Sequence, residues 1–259
     1  MLQSKALEAT LRALDNCLPQ GRPVEALEAG GGSFTHIRIA RESRVTVLDI
    51  SREQLDRNSY AQERILGDLE EFDGQAGRFD LIVCYDVVEH LNRPRRALVN
   101  MARMLAPGGA LVVGCPNRAS LKGLVTRYTP HGFHVWYYRY LRGCADAGLP
   151  GHAPFPAPMK PEMGMDAILQ TARELDLEVA SKQHYVSESV EDLKTRFPLL
   201  HALYAPVAKL VGAFTLPWTD SEDTDIILVL RRKAEAGVNA RNVSTTAGYA
   251  ERARRLLNA

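Results

Sequence analysis

The sequence has no charge bias, no cysteine pairing motif, no internal repeat and no low-complexity segment. Lys plus Arg number 32 against 31 Asp plus Glu, a net charge of +1. Nothing global therefore draws the chain to nucleic acid or to an anionic membrane. Cysteine is scarce: Cys17, Cys84, Cys115 and Cys144 form no CxxC pair, and Cys84 and Cys115 lie in apolar runs, where a thiol behaves as a small hydrophobe. All four are expected to be reduced, which fits a cytoplasmic location and leaves the sequon Asn242-Val243-Ser244 without meaning. The first 18 residues lack the continuous apolar core of a signal peptide, being broken by Lys5, Glu8, Arg12 and Asp15. The most apolar stretch, Phe197 to Trp218, carries one charge, Lys209. Pro198, Pro206 and Pro217 interrupt it and His201 is polar, so it does not read as a membrane span.

What is present is an ordinary globular composition, 46% hydrophobic and 24% charged over 259 residues, enough for one α/β domain with additions. Helical spacing of Leu2, Ala6, Leu7, Leu11, Leu14 and Leu18 opens the chain. Apolar runs then alternate with helical patterns. Strands are expected at Val24–Ala29, Arg44–Asp49, Glu63–Asp68, Phe79–Cys84, Ala110–Cys115, Leu177–Ser181 and Asp225–Leu230. A helix over Arg95–Leu105 ends at Pro107-Gly108-Gly109, and another covers Met165–Leu175. Continuously apolar strands separated by helices indicate a parallel sheet covered on both faces. Residues 1–232 are expected to form this domain, with insertions at 118–162 and 188–218, the second apolar and helical. Residues 233–259 read as a polar tail ending in a short helix over Ala247–Leu257, where Arg252, Arg254 and Arg255 make a solvated face.

The first strand runs into Leu27-Glu28-Ala29-Gly30-Gly31-Gly32-Ser33-Phe34. Glycines at a strand-to-helix turn admit a ligand close to backbone, and the following helix N-terminus offers free N–H groups. Alone this is also the pattern of a plain tight turn. Asp49 sharpens it: it ends the second strand about twenty residues after Gly30, where dinucleotide-type folds hold a carboxylate for the ribose hydroxyls. An Asp there could equally cap the next helix. Asp68, ending the third strand, could accept from an adenine amino group. The dinucleotide fingerprint needs glycine at position 35, and the chain has Thr35. Glu28 beside the loop would repel a pyrophosphate but suits a ligand with an ammonium group and no phosphate, S-adenosylmethionine.

The order of these motifs resembles the class I S-adenosylmethionine-dependent methyltransferases, in particular the group that includes the ubiquinone-biosynthesis O-methyltransferases. Glu28, Gly30 and Gly32 match the family's acidic residue and GxGxG, with Phe34 in place of the third glycine. Phe79-Asp80-Leu81-Ile82-Val83-Cys84-Tyr85-Asp86-Val87-Val88-Glu89-His90-Leu91 is similar to its fourth-strand motif with the EH pair, and Leu105-Ala106-Pro107-Gly108-Gly109 to its LxPGG turn. The resemblance is strong over about residues 20 to 117 and looser from 163 to 231. It implies a doubly wound, Rossmann-like α/β fold: a seven-stranded sheet with the last strand antiparallel and a lid insertion after the fifth. It implies S-adenosylmethionine as cofactor, with Asp49 on the ribose, Ile50 against the adenine, Asp68 and Leu69 at the adenine edge, and Cys84 and Tyr85 on the cofactor's side of the fourth strand.

Methyl transfer is an in-line displacement from a sulfonium, for which the protein supplies orientation and a dry pocket. A hydroxyl acceptor also needs a base, and His90 is the candidate, the alternative being that His90 only orients a loop. Asp86, Glu89 and His90, at i, i+3 and i+4, would share one helix face. They could hold a divalent ion, but a site with no metal is preferred. In the insertion, His134, Trp136 and Tyr137 are expected to line or roof an acceptor pocket, against the plainer reading of packing on the sheet. The Phe197–Trp218 stretch is expected either to cover the sheet edge or to admit a lipophilic acceptor beside weak membrane-surface contact. The reading is therefore methyl transfer to an oxygen or nitrogen of a small metabolite, a lipophilic one if the Phe197–Trp218 stretch admits it, with no nucleic-acid partner and no transmembrane segment. The alternatives are a nicotinamide-dependent oxidoreductase and a cofactor-binding module without catalysis.

Overall fold

A computed structural model of the chain describes residues 4–215, 223–234 and 243–257. Seven strands, β1 (Val24–Ala29), β2 (Ser43–Asp49), β3 (Glu63–Leu66), β4 (Phe79–Tyr85), β5 (Leu105–Pro116), β6 (Leu177–Tyr185) and β7 (Asp225–Arg232), form one sheet in the order β3-β2-β1-β4-β5-β7-β6. β1 to β5 pair in parallel, and β7 runs antiparallel to both of its neighbours. Every residue of β4 is buried, as expected of a central strand covered on both faces. Its alternation divides the core. Ile82 and Cys84 join Leu27, Leu48, Leu111 and Val113 on one face, and Leu81 and Val83 join Val24, Ala26 and Val112 on the other. The first face is covered by α3 (Pro94–Met104) and α6 (Met165–Glu174), the second by α1 (Ser4–Cys17), whose Ala6 and Leu14 enter that core.

Several expectations are corrected. No helix follows the glycine turn: residues 30–42 cross to β2 without regular structure. After the glycines, His36, Ile37, Arg38 and Ile39 alternate in character instead of repeating every three to four residues, and buried Ile37 takes the place of a helix face beside α1. β3 stops at Leu66, so Asp68 lies beyond the strand and caps a turn. Its carboxylate accepts the Glu70 N–H at 2.8 Å and its carbonyl the Phe72 N–H at 2.8 Å, a role Asp favours because its short side chain bonds nearby backbone. Pro107-Gly108-Gly109 falls inside the irregular start of β5, where the register jumps from Phe79–Leu105 to Leu81–Ala110. A Cβ on Gly109 would meet the Ala106 and Asp80 carbonyls at 2.9 and 3.1 Å.

The insertion after β5 contains α4 (Leu121–Tyr128), α5 (His131–Trp136), a π turn (Tyr137–Leu141) and an irregular stretch to residue 160. Between β6 and β7 lie α7 (Glu188–Arg196), which is charged rather than apolar, and α8 (Pro198–Thr215), which contains Pro206. Residues 216–218, with Pro217 and Trp218, lie outside the described residues. The C-terminal segment is more than a polar tail. In α9 (Val243–Leu257), Tyr249, Ala253 and Leu256 fall on one face and pack on the core beside α3, while Arg252 pairs with Asp176 on the outer side. Asn242 lies outside the described residues.

Candidate functional site

The glycine turn sits at the C-terminal edge of β1, where parallel strands expose their carbonyl ends and an open α/β sheet accepts ligands. Gly30 (φ 72°) donates its N–H to the Leu48 carbonyl at 2.7 Å, and a Cβ there would lie 2.6 Å from Val87. Gly32 (φ 51°) donates to Asp49 Oδ2 at 2.9 Å. Both positions demand glycine, one for space and both for backbone shape. Asp49 also accepts the Ser51 N–H at 2.8 Å, so its carboxylate ties the glycine turn to the end of β2. Burial pushes its carboxyl up against those N–H donors. Each carboxylate oxygen keeps a second lone pair for a ligand. Ile50 beside it is 74% exposed, an open apolar surface at the mouth.

Glu28 is buried below the turn and accepts the Thr35 hydroxyl. Burial pushes its carboxyl up to about 7, opposed by that hydrogen bond. Above Gly31 the Tyr60 hydroxyl is buried without a partner, 3.3 Å from where a Cβ would stand. A cradle that side chains would fill, an anionic group held short of charge and an orphaned hydroxyl together fit a ligand with a cationic amino group and polar substituents. Asp68 and Leu69 meet this edge differently: Asp68 caps its turn, while the Leu69 side chain is in the core and its carbonyl accepts from Asn100 at 3.0 Å. The Cys84 thiol is fully buried and pushed well up, leaving only its backbone for a ligand. The Tyr85 ring stacks on His36, with centroids 4.7 Å apart, and its hydroxyl meets that of Tyr185.

The end of β4 is not a helix. Asp86 stands in the left-handed region (φ 54°), and only Val88–His90 form a single 3₁₀ turn. Among the described residues Asp86, Glu89 and His90 do not gather into a group able to hold a metal ion. Glu89 is buried with Oε2 unpartnered, and burial pushes it up to about 8. Asp86 is raised too, first by the protein packed around it and then by Glu89 and Asp225, with Lys122 and His90 pulling the other way. His90 is held low by burial, against the pull of the Pro156 carbonyl, which its Nδ1 meets at 2.8 Å. A carbonyl only accepts, so Nδ1 carries the proton and Nε2 presents a lone pair. Glu89 Oε1 lies 4.0 Å from Nε2, beyond hydrogen-bond reach.

Sequence reasoning expected a lid within 118–162 but named its aromatic part and none of the residues that meet this edge. Residues 151–159 run from α2 (Arg52–Asp56) to the 3₁₀ turn. Gln54 accepts from the Ser33 N–H (3.2 Å) and hydroxyl (3.0 Å) and donates to the Gly151 carbonyl at 3.1 Å. Arg57 donates to the same carbonyl and reaches His152 at 2.8 Å. At the far end Pro156 meets His90, and the Met159 N–H donates to the Glu89 carbonyl at 3.1 Å. α2 follows β2 and the 3₁₀ turn follows β4, so the segment passes the end of β1, which lies between them. No motif marks it, because its anchors are backbone carbonyls and N–H groups. Of the expected acceptor residues, His134 bonds the Thr129 hydroxyl at 2.9 Å and Tyr137 is half-buried near Lys122 and Asp192. Trp136 lies on the outer side, stacked on Phe133 at 5.8 Å.

Residues 27–113 match the family described as "Methyltransferase domain". Nodulation protein S of Rhizobium tropici is 35% identical over 114 residues, 40% of this chain and 48% of that protein. A ubiquinone biosynthesis O-methyltransferase of Coxiella burnetii is 30% identical over 106 residues, 38% of this chain and 45% of that protein. The chain thus spans about half the length of the curated relatives it matches. A solved S-adenosylmethionine-dependent methyltransferase from Mesorhizobium loti shares the fold, with a TM-score of 0.50 at 15% identity over 87% of this chain and 100% of that one.

Proposed function

We propose that the protein, whose residues 27–113 match a methyltransferase domain, transfers a methyl group from S-adenosylmethionine to an oxygen or nitrogen of a small acceptor. The cofactor supplies the electrophilic methyl group on its sulfonium. The chain's own residues supply the rest. Glu28 holds an amino group, Asp49 accepts ribose hydroxyls, Ile50 offers apolar surface to an adenine, and the Asp68–Leu69 turn bounds it. The Cys84–Tyr85 backbone borders the amino-acid portion. His90 takes the acceptor's proton on Nε2, its ring held by Pro156, and segment 151–159 excludes water above the turn. The acceptor lies beyond β4 and β5 beside His134 and Tyr137, with Trp136 at the rim.

The observation that carries this reading is the neutral, oriented His90 one strand away from a glycine turn that holds a ribose-type carboxylate. Calorimetry with S-adenosylhomocysteine should give micromolar affinity, roughly −8 kcal/mol, and a methyl-label assay on host extract should yield one labelled small molecule. Binding of NADH without S-adenosylhomocysteine would overturn the cofactor assignment. Cofactor binding with no labelled product would leave a binding module.

A further inference from the structure

Four cations of the insertion after β5 have partners. Lys122 is engaged by Asp225, Arg139 donates to the Ala147 carbonyl at 2.8 Å, Arg142 donates to Asp192 at 3.2 Å, and Arg127 lies over the Tyr128 ring. Arg118 differs. It stands two residues past the end of β5, partly buried, and its Nε donates to the Met159 carbonyl at 2.9 Å. Among the described residues no carboxylate pairs with its guanidinium, and its two Nη groups are left over. Burial holds Arg118 below its ordinary range and Arg127 adds to that, with Tyr128 and Glu162 acting the other way. A cation partly removed from water and bonded to no acid favours an anion.

The side chain is held from both ends. Asn117 Oδ1 accepts the Ala119 N–H at 3.1 Å, the Ser120 hydroxyl donates to the Asn117 carbonyl at 2.7 Å, and a Cβ on Gly123 would lie 2.9 Å from Arg118 Cα. Met159, 1% exposed, is left-handed (φ 44°), a state that a methionine keeps only where its surroundings impose it. In that state its carbonyl takes Arg118 and its N–H reaches the carbonyl of Glu89, the residue before His90, at 3.1 Å. β4 and β5 are neighbours, so Arg118 and the His90 turn leave strands only ~5 Å apart. Segment 151–159 thus fixes the His90 ring through Pro156 and the Arg118 fork through Met159. Between them it presents Phe155, edge-on to His90 with centroids 6.1 Å apart.

We propose that the Arg118 fork binds a carboxylate of the methyl acceptor, an aromatic acid whose ring lies by Phe155 and whose hydroxyl or amino group faces His90 Nε2. With Nε occupied, Nη1 and Nη2 remain as a parallel pair of donors, which a planar carboxylate meets with both oxygens. A phosphate carries more charge and wants a second cation at the same point, but Lys122 is already held by both oxygens of Asp225. The inference rests on the methyl-transfer reading for the ligand's role as acceptor, and not for the anion site itself.

The test is calorimetric titration of the full chain, with and without S-adenosylhomocysteine, using benzoate, benzamide and phenyl phosphate. Benzoate should bind at least ~10-fold tighter than benzamide, and the margin should shrink as salt rises. Arg118→Gln should abolish the margin while S-adenosylhomocysteine affinity and the thermal melt stay unchanged, and Arg118→Lys should keep part of it. Benzoate no tighter than benzamide, a margin that survives Arg118→Gln, or a preference for phenyl phosphate would each overturn the carboxylate site. So would a loss of S-adenosylhomocysteine affinity in Arg118→Gln equal to the loss for benzoate. The labelled product from host extract should be retained by an anion exchanger, and a neutral or cationic product would overturn the assignment to the acceptor. A benzoate margin with no labelled product would instead remove the methyl-transfer reading and leave the anion site standing.

Discussion

The glycine-turn edge and the two insertions follow different rules. At the edge nearly every polar group is fixed by a short local contact: Gly30 to Leu48, Gly32 and Ser51 to Asp49, Thr35 to Glu28. The insertions expose aromatic and aliphatic side chains and are anchored by few long-range bonds. A site that recognises one unchanging cofactor gains from preorganised backbone and buried charge. A surface that meets a varying acceptor is built from side chains able to adapt. The first region is therefore sensitive to single-atom changes and the second to bulk and charge.

That contrast can be broken by mutation. The largest effect is expected from His90→Ala, which should lower turnover by ~10²–10⁴ while cofactor affinity in calorimetry stays within a few-fold. Unchanged turnover at saturating acceptor would leave His90 an orienting residue only. Asp49→Ala should weaken cofactor binding by about tenfold or more, because buried hydroxyls lose a charged acceptor and Gly32 loses its own. If the affinity survives, the glycine turn does not depend on β2.

Glu28 gives a pH signature. Burial lifts its carboxyl from an ordinary value near 4.5 to about 7, so the unliganded fold gains from protonation, a contribution lost as pH rises through about 7. A ligand ammonium needs the ionised form. Cofactor affinity should therefore climb as pH rises toward 7 and level above it, by up to about tenfold per pH unit on the acid side. Glu28→Gln should flatten the profile, and a profile unchanged in that variant would detach Glu28 from the ligand.

Smaller effects probe the join between the regions. Arg57→Ala removes one anchor of segment 151–159, and stopped-flow release of S-adenosylhomocysteine should quicken by roughly threefold to tenfold. An unaltered release rate would mean that the segment does not cover the cofactor. Tyr137→Ala should reduce turnover more than Trp136→Ala, since Trp136 stacks outward on Phe133.

Local pattern made the strands legible. Phe79–Cys84 and Asp225–Leu230 are apolar runs that serve only as buried strands, and glycine, Glu28 and Asp49 sit at spacings that chemistry makes specific. What failed depended on partners far along the chain. The spacing of Asp86, Glu89 and His90 suggested a shared helix face, but a left-handed Asp86 and a single 3₁₀ turn replace it. Asp68 reads as the end of a strand, but β3 stops at Leu66 and Asp68 lies in the turn beyond it, its carboxylate on the Glu70 N–H. Tyr249, Ala253 and Leu256 form too short a pattern to announce core packing among arginines, and only the surface of α3 gives them something to pack on.

By itself, then, the sequence determined the parallel core and the acidic, glycine-rich turn, which follow from residue type at local spacing, through periodicity, backbone freedom and charge; the antiparallel last strand was legible only as what the family resemblance implies. Only the tertiary structure decided that Gly151 and Pro156 meet Gln54 and His90, that the His90 proton sits on Nδ1, and that α8 packs against α4. Those facts rest on hydrogen bonds and packing between segments up to about a hundred residues apart, and such contacts leave no periodic trace in the chain.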